Sequence, residues 1–279
     1  MRINQNVAAL NAWRHLSGSD TELSKSLERL SSGLRINRAA DDAAGLAISE
    51  KMRSQVSGLR TAERNAMDAI SLIQTAEGAL NESHAILQRM RELAVQAATD
   101  TMTDDDRAEL QNEVNQLVDE LDRIAEDTEY NTMTLFDGDA ELTFHIGANA
   151  DQNMQVSIGD MTAESLGVRG EGEGEEPGDA IDISTRAEAN SAIDDIDSAI
   201  GTISEQRSSL GAVQNRLEHT IASLGMAVEN LQAAESRIRD ADMALEMTIF
   251  TRNQILLQSG TAMLAHANMK PQSVLQLLG

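Results

Sequence analysis

IDDIDSAIGTISEQRSSLGAVQNRLEHTIASLGMAVENLQAAESRIRDADMALEMTI, residues 193–249, decides the fold. Stepping alternately by three and four residues gives Ile193, Ile196, Ile200, Ile203, Arg207, Leu210, Gln214, Leu217, Ile221, Leu224, Val228, Leu231, Glu235, Ile238, Asp242, Leu245 and Ile249. Ile196, Ile203, Leu210, Leu217, Leu224, Leu231, Ile238 and Leu245 form a line made only of Ile and Leu. A period of 3.5 is that of a helix laid along partner helices. No proline interrupts the stretch, so it predicts a continuous helix on the order of 85 Å long. Arg207, Gln214, Glu235 and Asp242 are the polar members. They fit either a register-setting role in a buried seam or a local turn of the seam toward solvent.

Working outward, the C-terminal segment 250–279 continues with Ile255, Leu256, Met263 and Leu264, then Val274, Leu275, Leu277 and Leu278 after Pro271, a residue suited to the first turn of a final helix. On the N-terminal side, GEGEGEEPGDA at 170–180 is an acidic low-complexity linker that is expected to be exposed and mobile. Residues 141–159 change period. Leu142, Phe144 and Ile146 alternate with polar residues, as do Met154, Val156 and Ile158, so a β-hairpin with one apolar face is expected there, packed on helices. Asn131–Gly138 carries turn chemistry, ending in Asp137-Gly138. Before it, Leu110, Val114, Leu117, Leu121 and Ile124 mark a helix that Thr103 and Asp106 open as a capping box.

Residues 44–98 predict a second long arm. Its seam is Leu59, Ala62, Ala66, Ala69, Ile73, Ala76, Leu80, Ser83, Leu87, Met90 and Ala94, and the small residues in it imply close helix approach. Residues 3–34 predict an amphipathic helix with Ile3, Val7 and Leu10, then Leu23, Leu27, Leu30 and Leu34, stopped by Gly33. The stretch 29–49, RLSSGLRINRAADDAAGLAIS, is a polar elbow in which Asp41 and Asp42 favour the positive end of the next helix. The fold class is therefore mainly α: a long antiparallel helical bundle or coiled coil with one small β-hairpin region. The terminal stripes have nothing long enough to cover them in a single chain. The two ends are expected to pair antiparallel or to stay disordered until partners arrive.

Composition narrows function. Aromatics are 2% of the chain, too few for a pocket-centred enzyme or a carbohydrate site, whereas helix seams need none. Net charge of −24 argues against nucleic acid and anionic membranes. Cysteine is absent, which excludes thiolate chemistry and cysteine zinc sites. The start MRINQNVAAL has no apolar core of a cleavable signal, and no apolar run spans a bilayer. His15, His84, His145, His219 and His266 show no ligand spacing, and no HExxH, P-loop or GxGxxG occurs. Asp41/Asp42, Asp104–Asp106 and Asp194/Asp195 sit at helix starts or on solvated faces, where dipole compensation explains them. Glu171, Glu173, Glu175 and Glu176 fit a solvated loop better than a cation site. No catalytic, cofactor-binding or metal residues are assigned, and the chain is not read as an enzyme.

Several ordered motifs resemble bacterial flagellin, the subunit of the flagellar filament. They are MRINQNVAALNA at the start, the elbow at 29–49, LQRMRELAVQAA at 87–98 and LGAVQNRLEHTI at 210–221. ESRIRDADMALEM at 235–247 and QILLQSGTAMLAHAN with PQSVLQLL at 254–278 complete the set. The resemblance covers roughly residues 1–140 and 185–279. Two departures stand out. Ala40 replaces the lysine usual before the paired Asp, with the charge at Arg38 instead, and Leu245 stands where Thr is frequent. Little remains between residues 160 and 185, so the chain resembles a short form without large outer domains.

The resemblance implies a structural subunit that polymerises into the filament for swimming motility. The rivals are the hook–filament junction protein or another coiled-coil filament or needle subunit. It implies four segments: 1–43 and 241–279 in an inner helical core, and 44–185 and 186–240 in an outer one. Leu23, Leu27, Leu30 and Leu34 with the Ile/Leu line of the long seam are the implied assembly seam. Implied partners are the chain itself, an export chaperone at the C-terminal region, and junction and cap proteins. The implied location is extracellular, in the flagellum, reached without a cleavable signal peptide. The resemblance further implies an epitope for Toll-like receptor 5 at Gln88, Arg89, Glu92, Leu93, Gln96 and Glu113. Charge repulsion between subunits also implies that assembly is favoured by salt.

Overall fold

The computed structural model describes residues 6–136, 138, 140–170 and 179–278, with side chains to Met269 apart from that of Ala140. Ile3, Asp137, most of the acidic linker (171–178) and the side chains of Val274, Leu275, Leu277 and Leu278 lie outside the described residues. In chain order the elements are α1 (Val7–Ser32), α2 (Ala43–Ala97), α3 (Asp104–Asp127), β1 (Glu129–Tyr130), β2 (Met133–Thr134), β3 (Ala140–His145), β4 (Asn153–Ile158), α4 (Arg186–Arg239) and α5 (Met243–Leu278). The chain divides into two compact units. Unit 1 is Met1–Val56 with Glu229–Gly279, and unit 2 is Ser57–Val228. The divisions fall inside α2 and α4, whereas the helices themselves break at 33–42 and 240–242.

Unit 2 is built on buried apolar seams. In α2 every position from Ala62 to Ala94 of the expected line is buried, including Ser83, whose hydroxyl donates to the Ala79 carbonyl at 3.1 Å. In α4, Ile196, Ile203, Leu210, Leu217 and Leu224 are buried, joined by Ala189, Ala192, Ala199 and Val213. Thr103 and Asp106 form the capping box of α3. Its buried line runs Val114, Val118, Leu121 and Ala125, so Leu110, Leu117 and Ile124 flank the core rather than form it.

The hairpin pairs Leu142 with Val156 and Phe144 with Met154. Met154, Val156 and Ile158 face the core of unit 2. A further tight hairpin joins β1 to β2 through Asn131 and Thr132, both at positive φ. That conformation suits a two-residue hairpin turn. Residues 161–168 close over α3. Arg169 forms ion pairs with Asp119 and Asp122, and Asp122 also accepts from the Ala163 N–H at 2.7 Å.

In unit 1, α1 and α5 pair antiparallel. The Asn6 amide donates to the Ala267 carbonyl at 2.8 Å, and Arg29 lies 3.8 Å from Glu246. Gly33 stops α1 in the left-handed region, φ 72°, its N–H bonding the Arg29 carbonyl at 2.8 Å. The elbow then docks on the α4–α5 break. Arg35 N–H donates to the Arg239 carbonyl at 2.7 Å, and Ala241 N–H donates to the Gly33 carbonyl at 2.9 Å.

Three sequence expectations are corrected here. The long seam is not one helix. Residues 240–242 break it, and Asp242 caps α5 by accepting from the N–H groups of Ala244 and Leu245 at 3.0 and 3.2 Å. Of Asp41 and Asp42, only Asp42 caps α2, accepting from Gly45 N–H at 2.9 Å. Asp41 turns back to the N–H groups of Asn37 and Arg38. Pro271 does not start a new helix, since α5 runs through it to Leu278.

Candidate assembly interface

The inner faces of α1 and α5 follow from the break. On α1 the inward line is Ala9, Ala12, Leu16, Ser19, Leu23, Ser26 and Leu30. On α5 it is Glu246, Phe250, Asn253, Leu257, Gly260, Leu264 and Ala267. Both keep the three–four step of a coiled seam. Yet 240–242 shift the phase by one residue, so Glu246 turns in where continuation of the long seam puts Leu245. The buried members are polar: Ser26, Glu246 and Asn253. Gly260 sits against Leu16, and a Cβ there would meet the Leu16 Cδ1 at 2.9 Å. Small side chains let the two helices approach closely. The Glu246 Oε1 is buried with no hydrogen-bond partner, a cost that apolar packing alone would not carry.

Many other large apolar residues of unit 1 are exposed. Leu27 and Leu245 are each 59% exposed, and Val7, Leu10, Trp13, Met243, Met247, Ile255, Leu256 and Met263 are exposed with them. Met247, Thr248, Thr251, Arg252, Ile255 and Leu256 line a shallow apolar groove along α5. An exposed apolar groove of this kind marks a place where another surface docks.

The expected seam residues therefore separate into distinct environments. Ile196, Ile203, Leu210, Leu217 and Leu224 lie inside unit 2, Leu23, Leu30, Leu34, Leu231 and Ile238 are half-buried, and Leu27 and Leu245 face outward. Of the polar seam members, Arg207, Gln214 and Glu235 are half-buried, and Asp242 is the exposed cap in the break. Sequence periodicity caught Leu23 and Leu30 of the inward α1 face and missed the rest of it. Its signal was the spacing of Ala9, Ala12, Ser19 and Ser26, small residues like those of the α2 seam.

Five of the six expected epitope positions, Gln88, Arg89, Glu92, Gln96 and Glu113, share one surface of α2 and α3. Arg89 donates to the Glu113 carboxylate at 3.0 and 2.8 Å and to Glu92 at 3.1 Å. These bonds, Glu113 foremost, raise the Arg89 pKa. Gln88, Glu92 and Gln96 are exposed beside it. Leu93 is not part of this surface. It is buried in the core of unit 2, because its side chain falls on the apolar face of α2.

Elsewhere on the surface, charge is used locally. Arg91 bonds Asp197 at 2.6 and 3.2 Å and holds that carboxyl below its usual range. The Thr103 hydroxyl and then its N–H lower the Asp106 pKa, and Arg123 lowers that of Glu120. No grouping of three or more His, Asp or Glu able to hold a metal ion occurs among the described residues. No helix there is long and apolar enough to cross a membrane.

Both helical regions match those of known proteins. Residues 3–141 match the bacterial flagellin N-terminal helical region and residues 193–278 the bacterial flagellin C-terminal helical region. The chain is 53% identical over 281 residues to a flagellin of Halalkalibacterium halodurans and 52% identical over 305 residues to one of Bacillus subtilis, each alignment covering 100% of both chains. A crystal structure of Bacillus cereus flagellin is 31% identical, with a TM-score of 0.49, covering 58% of this chain and 88% of that one.

Proposed function

The chain belongs to the bacterial flagellin family, structural subunits of the flagellar filament, and from that premise we propose how it polymerises. The outward apolar faces of α1 and α5 are covered by neighbouring copies, and unit 2 enters the assembly already packed. The observation that carries this is the inversion in unit 1, with Ser26, Glu246 and Asn253 inside and Leu27, Leu245, Ile255 and Leu256 outside. Burying such residues contributes about 1.5–3 kcal/mol per side chain. Repeated in every subunit through a heterologous contact that does not close, this builds an open helical filament.

The four-segment division keeps its place in this reading. Segments 1–43 and 241–279 form the inner core, and 44–185 and 186–240 the outer one. The filament is extracellular, and the work is mechanical rather than catalytic. The exposed α5 face is also where an export chaperone would hold the subunit before assembly, while junction and cap proteins meet the filament ends through the same faces.

Negative-stain electron microscopy of Leu27→Asp and Leu245→Asp tests the reading. Wild type forms long uniform filaments and both variants stay monomeric with unchanged helicity. Filaments from both variants would remove α1 and α5 as the assembly faces. Short rings from wild type would instead favour a junction protein.

For receptor recognition, the surface on offer is Gln88, Arg89, Glu92, Gln96 and Glu113, with Leu93 as packing beneath it. Loss of Toll-like receptor 5 signalling by Arg89→Ala, with folding intact, is the expected result. Full signalling by an Arg89→Ala, Gln96→Ala double variant would remove the assignment.

A further inference from the structure

We propose that Met243, Met247, Met263 and Met269 on α5 are an oxidation-sensitive control on assembly, open in the free subunit and closed in the filament. The proposal rests on the outward face of α5 being covered when subunits polymerise. These four residues are 46%, 51%, 63% and 61% exposed. None of them belongs to the inward line of α5, and Met247 lines the apolar groove with Ile255 and Leu256. Met90, Met154 and Met161, by contrast, are buried in unit 2. A single dose of oxidant therefore meets two populations of methionine, one outside and one sealed in the core.

The chemistry is a two-electron oxygen transfer from a peroxide or hypohalous acid. With hydrogen peroxide, the sulfur lone pair attacks the peroxide oxygen, the O–O bond breaks, and the products are methionine sulfoxide and water. A flexible apolar side chain becomes a polar acceptor. On the free subunit the new S=O group stays hydrated, so folding tolerates it. In an assembly contact beside Leu245, Ile255 and Leu256, it is buried without a donor, and a buried unpaired polar group is costly. Oxidation thus leaves the subunit folded and removes its ability to add to a filament. A subunit already in place is protected because oxidant no longer reaches the sulfur.

The test treats monomer and preformed filament with the same hydrogen peroxide dose. Peptide mass spectrometry then locates the sulfoxides, and sedimentation measures the critical concentration for assembly. Oxidised monomer is expected to keep its helicity while its critical concentration rises about tenfold or more. Filament should show little sulfoxide at the four positions. The variant Met243→Leu, Met247→Leu, Met263→Leu, Met269→Leu keeps size and apolarity, and it should assemble equally well before and after peroxide. Replacing the exposed unit 2 residues Met67, Met133 and Met226 by Leu should leave the peroxide sensitivity in place.

Unchanged assembly of monomer oxidised at all four positions would overturn the proposal, as would equal peroxide sensitivity of the four-Leu variant. Equal oxidation of the α5 methionines in monomer and filament is a different failure. It would show that assembly does not cover the face, and would remove the assembly reading itself.

Discussion

Units 1 and 2 use the same helical alphabet in opposite senses. In unit 2 the large side chains are inside: Ile73, Leu80, Leu87, Ile196 and Ile203 are fully buried around α2, α3 and α4. In the α1–α5 pair of unit 1 the fully buried side chains are the polar Ser26, Glu246 and Asn253, the large apolar members of the inward lines (Leu16, Leu23, Leu30, Phe250, Leu257, Leu264) are only half-buried, and Leu27, Leu245, Ile255 and Leu256 are outside. Unit 2 can therefore close its own core, while the α1–α5 pair leaves its main hydrophobic contribution unused until another surface arrives. The buried Glu246, held at 3.8 Å from Arg29, fits that division of labour. It favours one antiparallel register at a cost in stability.

Core truncation breaks the comparison most directly. Leu80→Ala should destabilise unit 2 by about 2–5 kcal/mol in urea unfolding, while Leu245→Ala should shift folding by about 0.5 kcal/mol or less. Their ranking in filament yield should be the reverse. Similar urea shifts for both would mean that unit 1 has a core of its own.

A smaller effect is expected at the elbow. A Cβ on Gly45 would lie 2.4 Å from the Asp42 carboxylate and 2.8 Å from Ile36, which is buried. Gly45→Ala should cost about 1–3 kcal/mol, read as an early-melting phase confined to unit 1. In unit 2, Thr103→Ala removes the acceptor for the Asp106 N–H and should cost about 0.5–2 kcal/mol by thermal melting.

Much of this architecture is legible in the amino-acid order. The α2 seam, the Thr103 capping box, the Gly33 stop and the β3–β4 hairpin with its apolar face follow from spacing and turn chemistry alone. The break at 240–242 does not, because Asp242 sits on the three–four line and no Pro or Gly interrupts it. The docking of the elbow, through Arg35 on Arg239 and Ala241 on Gly33, together with the Asp242 cap makes a stop there favourable. Once the phase shifts, Leu245 and Glu246 exchange roles. Leu93 shows the complementary case. A motif groups it with surface neighbours, but the helical period sends its side chain inward.

Acid should touch the two units through different carboxylates. Asp106, Glu120 and Asp197 in unit 2 and Asp41 in unit 1 all have lowered pKa values. A depressed pKa stabilises the fold above the unfolded carboxylate range, and that contribution is lost as pH falls through the folded value. Stability should thus be flat from neutral pH to about 5 and decline below about 4. Asp106→Asn should flatten the acid limb for unit 2 only, followed by circular dichroism. The smallest effect is expected for Arg89→Ala, whose ion pairs are solvent-exposed. Its melting temperature should match wild type, whereas Leu93→Ala should lose about 2–5 kcal/mol.

Trp13 gives the most direct test of the inversion in unit 1. It is the chain's one tryptophan, it stands on the outward face of α1, and it is 60% exposed in the subunit. Acrylamide quenching of its fluorescence should be efficient in monomer and strongly reduced in filament, with emission shifted to shorter wavelength. Equal quenching and unchanged emission in the two states would contradict the claim that assembly covers the apolar face of the α1–α5 pair.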